Sequence, residues 1–230
     1  MESRRCSDLL LWPCCSCPAP WPLPTWSWAS SPRSTSPVAV GRGRFRPASA
    51  HGGVSYGTYQ LASKIGRADA FVAKYYPDEF KDLKGGSKEF TAKWKALAAA
   101  DSKALHANEH EYIRTTHYDP QCAKLLDEVK LDVGKRSATL RDVVWSTAVH
   151  HGPATDVVTV ALKPLLAAGK ITEGTDEAII KAVYAERGRM TADGKLVRFQ
   201  KVDDSWIPGL TKRFVNEQAD ALALLAEESK

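Results

Sequence analysis

The sequence predicts a mainly α-helical fold of about eight helices with one short β-hairpin. From residue 61 to the C-terminus, apolar residues recur at three- and four-residue steps, the period of helices that bury one face. Residues 51–60, HGGVSYGTYQ, differ because two adjacent glycines precede the β-favouring Val54 and Tyr56. Residues 1–50 show neither period. These observations predict a helical domain that opens with a hairpin.

Polar capping residues and prolines mark where the helices begin. The chain from Ser137 has the most apolar pattern and is predicted to be the central helix, ending at Gly152. The first predicted helix spans residues 61–75, the second begins at Ser87, and the third runs from Asp101 to about Thr116. The next begins at Asp119 with Pro120 at N1. The last four begin at Ser137 or Thr139, at Pro153, at Thr175 and at about Pro208.

The first fifty residues differ in composition from the rest of the chain. They hold eight of the thirteen prolines, four of the seven tryptophans and four of the five cysteines, but no lysine. We predict two parts, a disordered or foreign segment over residues 1–50 and a folded domain over residues 51–230. The segment is interpreted either as a Pro-rich tail or as GC-rich coding sequence translated in the wrong frame.

Composition argues against several classes of protein. Six arginines and two acidic residues place +4 of the net charge of +5 within residues 1–50, so the folded part lacks the basic surface expected of a nucleic-acid binder. The cysteines at 6, 14, 15 and 17 have no second pair to complete a zinc site. No apolar run approaches the roughly 20 residues of a membrane helix, and we recognise no signal peptide.

The hairpin segment carries the groups that a sugar-binding groove uses. Ser55, Tyr56, Thr58, Tyr59 and Gln60 place hydroxyls, an amide and two aromatic rings within six residues. Rings stack on sugars, and the polar groups provide directed hydrogen bonds. The alternative is a tight strand-to-helix turn whose two tyrosines belong to the core.

One helix carries a histidine pattern that could bind metal. His106 and His110 share a helix face and His117 follows, with Glu109 between them. The spacing is not the H-E-x-x-H pattern of zinc enzymes, so we expect neither metal nor cofactor. For Glu109 two interpretations stay open, a carboxyl that supports or contacts the sugar groove and a solvated helix carboxylate.

Four segments together resemble a known family. They are HGGVSYGTYQ at residues 51–60, NEHEYIRTTHYDPQ at 108–121, LRDVVWSTAVHHGP at 140–153 and IIKAVYAERGR at 179–189. Their order resembles the lysozyme-like and chitosanase-like glycoside hydrolases, which occur as phage or bacterial peptidoglycan hydrolases and as C-terminal extensions of type VI secretion spike proteins. The resemblance runs from about residue 51 and implies an α+β, lysozyme-like variant of the mainly α class.

The resemblance implies a substrate but leaves enzymatic activity open. The expected ligand is peptidoglycan or a chitosan-type amino-sugar polymer, and the expected partner is a secretion or phage tail apparatus. In the family two acids precede the Gly-Gly pair, whereas this chain has Ala50 and His51 at the second position and no glutamate at the first. We therefore expect hydrolysis to be impaired. A non-catalytic glycan-binding or spike-associated module is the alternative.

The resemblance also implies a set of residues around the groove. We expect a structural ion pair rather than a catalytic acid at Glu186 and Arg187. His151 is interpreted either as a helix-end cation or as a residue beside the cleft. The expected glycan-contacting residues are Ser55, Tyr56, Tyr59, Gln60, Glu109, His117, Tyr118 and His151. Because a cell-wall substrate lies outside the cytoplasm, the resemblance also implies export.

Overall fold

The computed structural model of the chain describes residues 45–49, 52–171, 175–228 and 230. Most of these residues are helical, which confirms the predicted mainly α class. The strands are β1 (Phe45–Ser49), β2 (Gly53–Tyr56) and β3 (Leu61–Ala62). The helices are α1 (Arg67–Tyr75), α2 (Lys88–Ala100), α3 (Ser102–Ile113), α4 (Asp119–Val129), α5 (Ala138–His151), α6 (Val157–Ala167), α7 (Asp176–Arg187) and α8 (Ile207–Glu228).

Side-chain hydrogen bonds cap three of the predicted helix starts, and Ser87 is the N-cap that the sequence predicts. The Ser87 side chain accepts from the Phe90 N–H at the start of α2. The Asp101 carboxylate accepts from the Ala104 N–H, and the Ser137 hydroxyl accepts from the Leu140 N–H. These caps satisfy backbone donors that the first helical turn cannot satisfy internally.

The predicted hairpin is the second half of a three-stranded antiparallel sheet with strand order β1-β2-β3. A helix was expected to begin at residue 61. Leu61 instead lies in β3 and pairs with Tyr56 of β2, and α1 begins only at Arg67. Residues 45–49 were expected to be irregular, yet they form β1 with Phe45 opposite Tyr56. The remaining predictions for the N-terminal segment lie outside the described residues.

Two predicted helix boundaries differ from the structure. The chain does not stop before Asp119, because a π-helical turn, Arg114–Tyr118, joins α3 directly to α4. The Asp119 carboxylate pairs with Arg114 at 2.7 Å instead of capping. The helix expected from Pro153 begins at Val157. Local signals therefore identified both helices, but they predicted a break before α4 that is absent and placed the start of α6 too early.

Two groups of buried side chains form the interior, and α5 contributes to both. Leu140, Val143 and Val144 of α5 belong to an aliphatic core with side chains from α4, α6, α7 and α8. Trp145 and Val149 of the same helix pack against a second core built by the sheet and helices α1, α2 and α3. This second core is rich in aromatic side chains, including Tyr56, Phe71, Phe80, Phe90, Trp94 and Tyr112. Helix α5 therefore joins the hairpin region to the helical region.

Candidate functional site

The hairpin turn, residues 57–60, lies against α3. The Tyr59 hydroxyl and His110 Nδ1 are 2.8 Å apart, and the Thr58 hydroxyl lies 3.3 Å from His106 Nδ1. The two histidines reach the same turn because they are four residues apart on one helix face. Burial lowers the pKa of both imidazoles, so near neutral pH both rings are uncharged.

Four rings from four segments meet beside α3, and we call Tyr59, His110, Tyr118 and Trp145 the aromatic cluster. Trp145 is its centre, with ring centroids 4.6 Å from His110, 5.2 Å from Tyr118 and 6.3 Å from Tyr59. The His110 and Trp145 rings are stacked. All four side chains are partly exposed. The sequence indicated Tyr59 and Tyr118, and it placed His110 in a metal-like pattern.

Glu109 lies directly beneath the hairpin turn. It is 1% exposed, and its Oε2 accepts the Thr58 N–H at 2.8 Å. A Cβ on Gly57 would lie 1.8 Å from Glu109 Oε1, so only glycine allows the carboxyl to approach this closely. Burial raises the Glu109 pKa to about 7, although hydrogen bonds from Thr58 and Tyr59 oppose that rise. The solvated alternative for Glu109 is therefore wrong, and the carboxyl supports the turn.

The structure gives Tyr56 a core position. Its side chain is 0% exposed, its hydroxyl lies 2.8 Å from the Thr91 hydroxyl, and it accepts the Gly86 N–H at 3.1 Å. Any effect of Tyr56 on a ligand would be indirect, through the position of β2. Ser55 is partly exposed on β2, and Gln60 donates to the Gly57 carbonyl at 2.8 Å from a left-handed backbone conformation.

His117 and Tyr118 are neighbours in the π-helical turn but differ in exposure. His117 is 3% exposed, and its Nδ1 lies 2.8 Å from the Thr116 hydroxyl. Burial and then the charge of Arg67 lower its pKa to about 4, so His117 is a neutral interior group. Tyr118 remains partly exposed within the aromatic cluster. Burial, with a further effect of Cys122, raises the pKa of its hydroxyl.

His151 belongs to a different group of side chains. Its ring lies 4.9 Å from Phe199 and 6.2 Å from Phe214. Burial, followed by the charge of Arg187, lowers its pKa to about 3. The predicted cation at the end of α5 is therefore absent, because the ring is neutral. The structure thus places Tyr59 beside Glu109 and, through Trp145, near Tyr118, and it places His151 with Phe199 and Phe214.

A family model described as Type VI secretion system spike protein VgrG3-like, C-terminal, matches residues 29–218. The chain belongs to this family. The type VI secretion spike protein VgrG3 of Vibrio cholerae serotype O1 is 31% identical over 200 residues, which are 85% of this chain and 18% of that protein. The chain therefore spans less than a fifth of the relative's length. The expected relation to secretion spike proteins is confirmed.

The match to the VgrG3-like C-terminal family begins upstream of the expected start. The family model includes residues 29–50, whereas the resemblance from motifs was traced only from residue 51. Part of the segment interpreted as foreign is therefore similar to the family. Ala50 and His51, where the resemblance expects an acid, lie outside the described residues.

Asp142 is a second carboxyl with a perturbed pKa in this VgrG3-like domain. It lies three residues before Trp145 on α5 and is partly buried. Burial raises its pKa to about 6, Arg141 opposes that change, and Glu228 adds to it. Sequence patterns gave no reason to select Asp142, because its position only becomes informative once Trp145 is known to face the hairpin.

Glu186 and Arg187 of the domain form separate ion pairs. Arg187 is 0% exposed, and its Nη1 lies 3.0 Å from Glu217 Oε2 on α8. Glu186 pairs with Arg189 at 2.7 Å and also with Arg198. The prediction of a structural role agrees with this geometry, although the partners differ from those expected.

Among residues 45–49, 52–171, 175–228 and 230, no group of three histidine, cysteine or acidic side chains is arranged to hold a metal ion. His106 and His110 instead contact the hairpin turn. None of the helices described by the structure has the length and apolar character needed to cross a membrane.

Proposed function

We propose that this domain is a spike-associated module that binds cell-wall glycan, and that the aromatic cluster is its contact surface. The observation that carries this proposal is the meeting of partly exposed Tyr59, His110, Tyr118 and Trp145 from four segments. Rings of this kind stack on sugar faces, while phenol, indole and imidazole groups make directed hydrogen bonds. The resemblance of residues 51–60 to glycan-cleaving enzymes supports the same ligand class.

The arrangement favours binding over cleavage. Glycosidic cleavage ordinarily needs two carboxyls, one to protonate the leaving oxygen and one to activate water or attack the sugar. Glu109 is 1% exposed and is engaged by Thr58, so it offers no open face to a sugar. Residues 50 and 51 have no carboxyl groups. Binding of peptidoglycan or a chitosan-type polymer is therefore the main function that we propose.

Hydrolysis is the second candidate function, and one observation favours it. Burial raises the carboxyl pKa of Asp142 to about 6, and Asp142 lies three residues before Trp145 on α5. Raised carboxyl pKa values are typical of general acids. An enzyme that used this carboxyl would act on the same amino-sugar polymer.

Sedimentation with insoluble peptidoglycan tests the proposal. We expect the purified chain to co-sediment, and Trp145→Ala to reduce the fraction bound at least tenfold because the central ring is removed. The matched control is Trp206→Ala, which removes a ring that is 67% exposed outside the cluster and should leave binding unchanged. Circular dichroism shows whether each variant is folded. Failure of the unmodified chain to sediment would contradict glycan binding.

Turbidity of cell-wall suspensions separates the two candidate functions. We expect no clearing by the unmodified chain. Clearing that is lost in Asp142→Asn would identify a hydrolase and overturn the non-catalytic proposal.

A secretion apparatus is the proposed partner for delivery. Membership of a family named for spike proteins supports this association. A cell-wall ligand places the site of action outside the cytoplasm, where a secreted spike would carry the domain.

A further inference from the structure

Glu109 is unusual among the buried acids because its hydrogen-bond donors among the described residues are neutral groups. It accepts the Thr58 N–H, and burial, rather than a charged partner, has the largest effect on its pKa. Asp176 and Glu186, the other buried acids among the described residues, pair with arginines. A buried carboxyl without a cation is costly when ionised. Folding therefore stabilises the protonated form of Glu109 relative to the ionised form.

The hairpin turn contacts the Glu109 carboxyl directly. Gly57 covers one face of the carboxyl so closely that a Cβ would overlap Oε1, and Thr58 donates to Oε2. The same turn carries Tyr59 of the aromatic cluster. If the turn moved away from α3, water would reach the carboxyl, and Tyr59 would leave Trp145.

We propose that Glu109 is a proton-dependent positioning residue, whose protonated carboxyl holds the hairpin turn against α3 and whose ionisation releases the turn. This inference rests on the proposed glycan-binding function, since Tyr59 is part of the contact surface. Glycan binding should accordingly strengthen as pH falls through neutrality. This direction follows from linkage. The Glu109 pKa is higher when the turn is closed than when it is open, so protonation at lower pH favours the closed turn.

The surrounding titratable groups have pKa values shifted away from neutrality. Tyr59 from the hairpin and Tyr76 from the end of α1 both have phenol pKa values raised above 10, chiefly by burial and in part by Glu109. His106 and His110 on α3 have pKa values below 6.5, chiefly because of burial. A transition near pH 7 in the turn therefore belongs to Glu109.

Amide hydrogen exchange at Thr58 and Tyr59, measured by NMR and corrected for intrinsic rates, tests the inference. With a closed-state pKa of about 7 against an ordinary value of 4.5, protection should fall about tenfold between pH 6 and pH 8. Glu109→Gln keeps an acceptor but cannot ionise, so its protection should not change over this range. Glu109→Ala should lower protection at both amides about tenfold at pH 6 while amides of α8 keep theirs.

Affinity for a soluble glucosamine hexamer is measured on the same samples. The unmodified chain should bind more weakly at pH 8 than at pH 6, and Glu109→Gln should bind equally at both. If amide exchange at Thr58 and Tyr59 depended on pH equally in the unmodified chain and in Glu109→Gln, the role of Glu109 would be overturned, whether or not the hexamer binds. Absence of hexamer binding with the expected exchange pattern would instead contradict the proposed function and leave the action of Glu109 on the turn supported.

Discussion

Buried charge is handled differently in the hairpin region and in the α7–α8 region. Around α7 and α8, Arg187 pairs with Glu217 and contacts the rings of Tyr184 and Phe214, and Glu186 pairs with two arginines. Under the hairpin, Glu109 is 1% exposed, and the hydrogen-bond donors to its carboxyl within the part of the chain that the structure describes are neutral. One region therefore holds its charges permanently, whereas the other holds a carboxyl that can lose its charge.

The two glutamates show what this difference means for function. Burial opposes ionisation of Glu186, but hydrogen bonds from Arg189 and Arg198 outweigh it and hold its pKa below the usual range. Burial dominates at Glu109 and raises its pKa to about 7. Paired acids act as fixed links between helices, while an acid without a cation can respond to pH near neutrality. The responsive acid lies beneath the proposed binding surface.

Removal of the buried guanidinium should have the largest effect on stability. Arg187→Ala breaks the ion pair with Glu217 and leaves a cavity between two rings, so we expect a loss of about 3–5 kcal/mol in the free energy of unfolding. Arg213→Ala is the matched control, because Arg213 pairs with the same Glu217 from a more exposed position. We expect that control to cost about 1 kcal/mol or less. Urea denaturation measures both, and equal losses would contradict the fixed-link interpretation.

Stability against pH should change in opposite directions for the two glutamates. The folded-state pKa of Glu109 lies above 4.5, so its contribution to stability is present below that pH and is lost as pH rises through 7. The difference in unfolding free energy between the unmodified chain and Glu109→Gln should fall by about 2 kcal/mol from pH 5 to pH 8. The corresponding difference for Glu186→Gln should instead fall at acid pH. If both differences in unfolding free energy changed with pH in the same direction, the proposed contrast between Glu109 and Glu186 would be contradicted.

A smaller effect should follow from filling the space between Gly57 and Glu109. Both Gly57 and Gly194 have positive φ, at 70° and 79°, but only Gly57 would place a Cβ against another residue. Gly194→Ala should therefore cost about 1 kcal/mol through backbone strain alone. Gly57→Ala should cost about 1–3 kcal/mol more, because the carboxyl must move. Thermal unfolding of the pair gives the difference, and equal melting temperatures would show that the turn does not depend on this contact.

Local signals predicted much of the helical framework. Ser87, Asp101 and Ser137 were recognisable as caps because a cap depends on residues three positions away. Strand β1 could not be predicted in the same way. Its pairing with β2 depends on another segment, and its residues show no clear alternation.

The candidate site was predictable only where its residues share a short segment. Tyr59 and Gln60 stand out within the hairpin motif, but the contact between His110 and Trp145 joins α3 to α5. The burial of Tyr56 and His117 also arises from packing against other elements, so their polar character misleadingly indicated a ligand surface. The role of Glu109 could not be assigned until Gly57 was located above it.

NMR titration with the glucosamine hexamer at pH 6 tests the central claim most directly, because it compares two aromatic regions in one experiment. The proposed function predicts that the Trp145 indole N–H and the signals of Tyr59 and Tyr118 shift saturably, while His151 and Phe199 remain unchanged. Shifts centred on His151 and Phe199, or no saturable shift anywhere, would contradict the assignment of the aromatic cluster as the glycan-binding surface.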